Sequence, residues 1–140
     1  MYCRPSFYVY GAGPILKKEP ERYLPRISGL EVFNSRASLF PFSNKKAKNF
    51  YEKIKQKYPN VGAVACSDGG SPKDIGRSSS EIEMPCDYNS LSEEDFAKYL
   101  KQGVENCDGE KNITTPARLE SLLHIVHIFV SGRRGLKFKK

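Results

Sequence analysis

The most specific stretch of the chain is Ser67-Asp68-Gly69-Gly70-Ser71-Pro72-Lys73-Asp74-Ile75-Gly76-Arg77. It follows an apolar run, Val61 to Cys66, and sets Asp68 two residues beyond it. A carboxylate at such a mouth suits a hard or borderline cation, or general-base work. An aspartate there also caps a turn with its own side chain. The four cysteines fall at positions 3, 66, 86 and 107, with no CxxC pair and no zinc-like spacing. Cys66, at the end of the apolar run, reads as a small core residue. His124 and His127 lie three apart, with Glu120 one turn earlier. At helical spacing that trio could share a metal, or sit as surface or satisfied core positions. Gly11-Ala12-Gly13 is not a full dinucleotide fingerprint, no phosphate-binding Walker loop occurs, and Ser67 lacks both a nucleophile elbow and a histidine partner. Asn112-Ile113-Thr114 is a glycosylation sequon, without consequence in the cytoplasm.

These residues need a scaffold, and hydrophobic periodicity supplies its outline. Residues 7–10, Phe-Tyr-Val-Tyr, read as a strand ended by a turn at Gly11 to Pro14. Lys17 to Leu24 reads as a weak helix or irregular link broken by Pro20. Leu30 to Phe33 is a second strand, followed by a loop over 34–42. Ser43 to Tyr58 is the clearest helix. Ser43 is placed as its N-cap, and Ala47, Phe50, Tyr51, Ile54 and Tyr58 form one apolar stripe. Six lysines occupy the remaining faces. Pro59 closes the helix, and the continuous run Val61 to Cys66 predicts a strand buried on both sides. Strand, helix and strand form a βαβ unit, so strands 30–33 and 61–66 are expected parallel. Ligands of such folds collect at the C-terminal edge of the parallel strands, which nominates the loops 11–14, 34–42 and 67–77. A strand over 78–84 follows. A helix then opens on Ser92-Glu93-Glu94-Asp95 with Phe96, Tyr99, Leu100 and Val104 as its stripe. Thr115-Pro116 opens a last helix to about Ser131. Residues 1–132 are expected to form one α/β domain, with 133–140 as a basic tail.

With 140 residues, 39% of them hydrophobic, the chain has room for one modest core. Its apolar stretch Leu119 to Val130 is far shorter than the about 20 residues a membrane span needs. No apolar run of signal-peptide length opens the sequence, so the expected compartment is the cytoplasm, with reduced thiols. The net charge of +7 is uneven: +8 over residues 1–60, −6 over 61–112 and +5 over 113–140. A basic balance favours nucleic acid or phosphorylated and other anionic ligands as partners. It is equally the signature of solvated helix faces and a basic tail.

Three segments together resemble the PHP (polymerase and histidinol phosphatase) superfamily. The run from Ser67 to Arg77 is similar to the family's Ser-Asp-Ala-His segment with its following Gly-Arg. Gly29-Leu30-Glu31-Val32-Phe33-Asn34-Ser35-Arg36 resembles its Gly-Ile-Glu-Val-Tyr-Asn-x-Arg segment. Ala12-Gly13-Pro14 stands where the family tends to carry Ala-His-Pro. The likeness spans about residues 9–84 and implies a distorted TIM-barrel-like fold with divalent metals at its C-terminal mouth, hydrolysing phosphoesters. Such metals polarise the phosphoryl group and generate a hydroxide nucleophile. By this resemblance Asp68 is the metal ligand, with zinc, manganese or iron as the implied cofactor. Glu31, Asn34, Arg36 and Arg77 become candidate ligand-binding positions, the arginines offering bidentate contacts to phosphate.

The departures weigh as much. Gly13 and Gly70 stand where the family has histidine ligands, and its His-x-His motif has no counterpart. Glycine offers no side-chain ligand, while both glycines fit tight turns. The expectation is therefore a partial PHP-like α/β fold: three or four parallel βα units and a C-terminal helix. Its function is expected to be that of a metal-poor or inactive relative of a phosphoesterase, acting as a structural or binding module. Its open parallel edges call for cover by the terminal helix, a second copy or an N-terminal barrel-half partner. One alternative is an active metal-dependent phosphoesterase completed by another chain. The other is a basic nucleic-acid-binding module using Lys45, Lys46, Lys48, Lys53, Arg133 and Arg134. No membrane partner is expected.

Overall fold

The computed structural model describes residues 12–40, 42–68, 72–84 and 87–116. Helix α1 (Ala12–Lys18) and the short α2 (Pro20–Tyr23) lead through a 3-10 turn at Leu24–Arg26 into strand β1 (Gly29–Asn34). A second 3-10 turn, Arg36–Leu39, precedes helix α3 (Ser43–Ile54), which returns to strand β2 (Gly62–Cys66). A turn at Pro72–Asp74 leads to strand β3 (Ser78–Ser80). A further turn at Tyr88–Ser90, helix α4 (Glu93–Glu105) and strand β4 (Asn112–Thr114) complete the order.

The βαβ expectation holds. β1 and β2 pair in parallel, from Gly29 opposite Gly62 to Asn34 opposite Cys66, with a bulge between Glu31 and Phe33. The α3 stripe buries Ala47, Tyr51 and Ile54, while Phe50 and Tyr58 pack partly buried beside them. They meet Leu30, Val32 and Ala63 from one face of the pair, together with Leu16, Leu24 and Val61. Successive strand residues point to opposite faces. Val64 therefore faces the other way and packs with Val104 and Cys107 at the end of α4. The continuous apolar run of β2 is explained by this placement between two helical layers.

Several local expectations are corrected. Residues 12–14 open α1 instead of forming a turn at a strand end. Pro20 starts α2, where its missing N–H costs nothing, instead of interrupting a helix. The strand expected over 78–84 stops at Ser80 and pairs antiparallel with β4. Cys66 is half-buried, while Cys107 is buried. The α4 stripe is buried only at Val104, with Phe96 and Leu100 each about 40% exposed. α4 does begin as expected: Ser92 Oγ accepts from the Asp95 N–H at 3.1 Å, and acids fill the first turn.

The fold is thus mixed α/β, and among the described residues parallel pairing is confined to β1 and β2. The outer edge of β2 is not left open. The Ala63 N–H donates to Cys107 O at 2.6 Å, and Asn112 Nδ2 donates to Ala63 O at 3.1 Å. The Ala65 N–H donates to Ser80 Oγ at 2.8 Å, and that hydroxyl donates to Asn112 Oδ1 at 2.6 Å. Cys107 O and side chains of β3 and β4 therefore meet main-chain groups that a third parallel strand would have met. No helix among the described residues is long and apolar enough to cross a membrane. The expected strand 7–10, the helix beyond Pro116 and the basic tail lie outside the described residues.

Candidate functional site

The C-terminal edge of the parallel pair gathers most of the nominated residues, beginning with the end of β1. Glu31 and Asn34 are each about 1% exposed, and Asn34 Nδ2 donates to Glu31 Oε1 at 2.9 Å. Asn34 Oδ1 accepts from the Ala37 N–H at 2.7 Å, which turns the chain into its 3-10 segment. The main chain of Asn34 is held by Asn44, whose Oδ1 accepts from the Asn34 N–H at 3.0 Å. Asn44 Nδ2 donates back to Asn34 O at 3.1 Å. One primary amide thereby imitates a neighbouring strand residue, with one donor and one acceptor at strand spacing.

Helix α3 begins accordingly. The N-cap is Phe42, in the left-handed region at φ 70°, and Ser43 is the first helical residue. The expected cap is therefore displaced by one position. The Ser43 hydroxyl is buried without a hydrogen-bond partner among the described residues. A left-handed phenylalanine is costly, and it is sustained here because Asn44 must reach back to β1.

Beyond β2, Asp68 is also left-handed, at φ 45°, a conformation aspartate tolerates better than most residues. Its N–H donates to Cys66 Sγ at 3.4 Å. Arg36 lies two residues past the end of β1 on the facing loop, and it makes no ion pair among the described residues. Arg77 is partly engaged: its Nε donates to Pro116 O at 3.0 Å, and a terminal guanidinium nitrogen joins it there.

Beneath these side chains runs a hydroxyl network that sequence reasoning missed. Ser35 and Ser78 are buried, with their Oγ atoms 2.6 Å apart. Ser35 donates to Thr115 O at 2.6 Å, and Ser78 Oγ accepts from the Thr115 N–H at 3.2 Å. Ser78 Oγ also lies 3.3 Å from Thr115 O, so either hydroxyl can serve that carbonyl while the other donates to its partner serine. Most buried hydroxyls are hydrogen-bonded, and these two are. The signal available in the sequence is the polar triplet Ser78-Ser79-Ser80, with eleven residues between it and the end of the apolar β2.

The fit of a metal can be tested on the donor set. Among the described residues no three or more His, Cys, Asp or Glu side chains stand close enough together to hold a cation. Asp68 thus gains no such cluster there, and Gly13 sits in α1. Gly70, Glu120, His124, His127, Arg133 and Arg134 lie outside the described residues. The loops of this edge expose apolar side chains instead: Phe40, Phe42 and Ile75.

Lys45, Lys46, Lys48 and Lys53 are exposed along α3, as their spacing predicts. Away from the edge, burial raises the Cys107 thiol above its ordinary value, with Asp108 adding to the effect. Burial likewise raises the Tyr51 phenol. Both groups stay protonated at neutral pH. No known family pattern, curated protein or solved structure matches the chain.

Proposed function

We propose that the chain is a PHP-like binding module that takes an anionic ligand at the C-terminal edge of its parallel pair and does not hydrolyse it. The observation that carries this reading is the use made of Glu31 and Asn34. Both are buried, and Asn34 bonds Glu31, Ala37 and Asn44 at once. At these two positions the side chains build the strand end, which supports a scaffolding role for them over a ligand-binding one. The charged groups on the loops beyond the strands are Arg36, Asp68 and Arg77, each partly buried, and Arg77 keeps guanidinium donors that Pro116 O does not take. Two arginines suit a phosphoryl or carboxylate group. Exposed Phe40, Phe42 and Ile75 on the same loops add apolar surface for a macromolecular partner. The reading carries a cytoplasmic location. A second copy or a chain supplying further barrel strands is the partner it favours.

The test is divalent metal content and phosphomonoester hydrolysis of untagged protein purified without chelator, beside Asp68→Ala. Inorganic phosphate and pyrophosphate binding is followed in parallel with Arg36→Gln. The reading expects metal-independent anion binding that weakens in Arg36→Gln, and no hydrolysis. Tightly bound zinc, manganese or iron, lost together with hydrolysis in Asp68→Ala, would instead establish an active phosphoesterase. A second reading, a nucleic-acid-binding module, is favoured by the exposed lysines of α3. It requires binding that persists at physiological salt, with a slope set by the number of phosphates contacted.

A further inference from the structure

Helix α3 and the turn at 108–110 face one another across a groove of about 550 Å³, floored by Val32, Tyr51 and Ala63. Its two walls carry opposite charge. On the α3 side stand Lys45 and Lys48, and on the other Asp108 and Glu110. Residues three apart on a helix lie side by side, about 5–6 Å between Cβ atoms. Lys45 and Lys48 therefore form a pair of cations, and neither makes an ion pair among the described residues. The third lysine of this wall, Lys55, is neutralised by Glu52 at 2.5 Å. Opposite, Asp108 accepts the Glu110 N–H at 2.8 Å across Gly109, whose φ of +90° only glycine adopts without strain. That turn presents both carboxylates from a fixed backbone. They too make no ion pair among the described residues. The lining thus holds two lysines and two carboxylates that make no ion pair with one another among the described residues.

We propose that this groove binds a small zwitterionic phosphate ester, with its phosphoryl group between Lys45 and Lys48 and its ammonium group at Asp108 and Glu110. A phosphate monoester carries between one and two negative charges near pH 7, which matches two lysines better than a single carboxylate does. The apolar floor takes the carbon skeleton, and the volume is that of a small-molecule site. Asp68, Arg36 and Arg77 are not among the lining residues, so the proposal stands apart from the reading of the C-terminal edge.

The experiment is titration calorimetry on the full chain with glucosamine 6-phosphate as probe. Glucose 6-phosphate lacks the ammonium group, and glucosamine lacks the phosphate. The expected result is a Kd below about 1 mM for the probe, weakened about tenfold or more by either deletion. In Lys45→Gln/Lys48→Gln the advantage of the probe over glucosamine disappears. In Asp108→Asn/Glu110→Gln its advantage over glucose 6-phosphate disappears, and the amide oxygen introduced by Asp108→Asn keeps the turn's acceptor. All four positions are exposed, and circular dichroism checks that the variants fold. Undetectable binding of the probe at about 10 mM overturns the proposal. So does equal affinity for probe and glucose 6-phosphate, or binding that both double variants leave unchanged.

Discussion

Replacing Gly62 by alanine tests the packing of the three layers directly. A Cβ at Gly62 would lie 1.8 Å from Val104 O, 2.9 Å from Val104 C and 3.1 Å from Cys107 O. Real Cβ atoms essentially never come within 3.0 Å of another atom, so something must shift by more than an ångström. The obstacle is the backbone of the last turn of α4, which no rotamer change can move. Displacing it strains the Ala63 N–H to Cys107 O bond and uncovers Val104 against Val64. Overpacking of this kind costs about 1–3 kcal/mol and a lost hydrogen bond about 0.5–1.5 more. The total, about 3 kcal/mol, is a large part of the ~5–15 kcal/mol by which a domain is stable. Gly103→Ala is the internal control. Its Cβ meets Ile82 Cγ2 at 2.1 Å, a side-chain methyl that a χ1 change of Ile82 can move, whereas no rotamer moves Val104 O. Alanine also gains about 0.8–1.0 kcal/mol of helix propensity over glycine within α4. Urea unfolding followed by circular dichroism should therefore rank Gly62→Ala well below Gly103→Ala. A loss under about 1 kcal/mol at Gly62, or the reverse ranking, would refute the direct contact of α4 with β2.

Asn44→Ala removes both bonds to Asn34 and should cost about 1–3 kcal/mol in the same assay, while Asn44→Asp retains only the acceptor and should recover part of that at most. Ser80→Ala leaves the Ala65 N–H without its acceptor and should cost about 1–2 kcal/mol, and an unchanged denaturation midpoint would argue that water replaces the hydroxyl. The folded pKa of Cys107 lies above its ordinary 9.0, so the folded state holds that proton more tightly than the unfolded chain. Its stabilising contribution is complete below about pH 9 and lost as pH rises through the raised value. Tyr51, raised above 10.0, acts in the same direction at higher pH. Thermal melts should thus decline above pH 9, and Cys107→Val should remove the first part of the decline.

The sequence revealed β1, α3 and β2 because each buries a regular apolar face. Tyr51 and Ile54 recur at helical spacing, and Val61 to Ala65 is apolar without interruption because both faces of β2 are covered. Parallel pairing then followed from chain geometry. The second pair was illegible for the opposite reason. β3 and β4 are three residues each, nearly all hydroxyl or amide side chains, with no apolar alternation to betray them. Their role is to satisfy β2 through Ser80 and Asn112, and a polar side chain carries no mark of its distant partner. At the edge, the positions of Asp68, Arg36 and Arg77 after their strands could be read from spacing. The capping arrangement could not, because Ser43 has the cap residue type, and nothing in the sequence marks the left-handed Phe42 that takes the position instead. The α4 stripe shows the limit of periodicity: Phe96 and Leu100 recur correctly and remain exposed.

The hydroxyl lock on Thr115 bears on how the chain is made. Ser35 and Cys66 have emerged from a ribosome well before Thr115, which follows β2 by about fifty residues. At typical synthesis rates that is a delay of several seconds, long compared with the time a strand and helix need to associate. For most of that interval the parallel pair can form, but Ala63 lacks Cys107 and Asn112 as covers, the Ser80 hydroxyl lacks Asn112, and Ser35 lacks its acceptor. The nascent chain therefore passes through a stage with a bare strand rim, and completion of residues 112–115 is what ends its exposure to other chains.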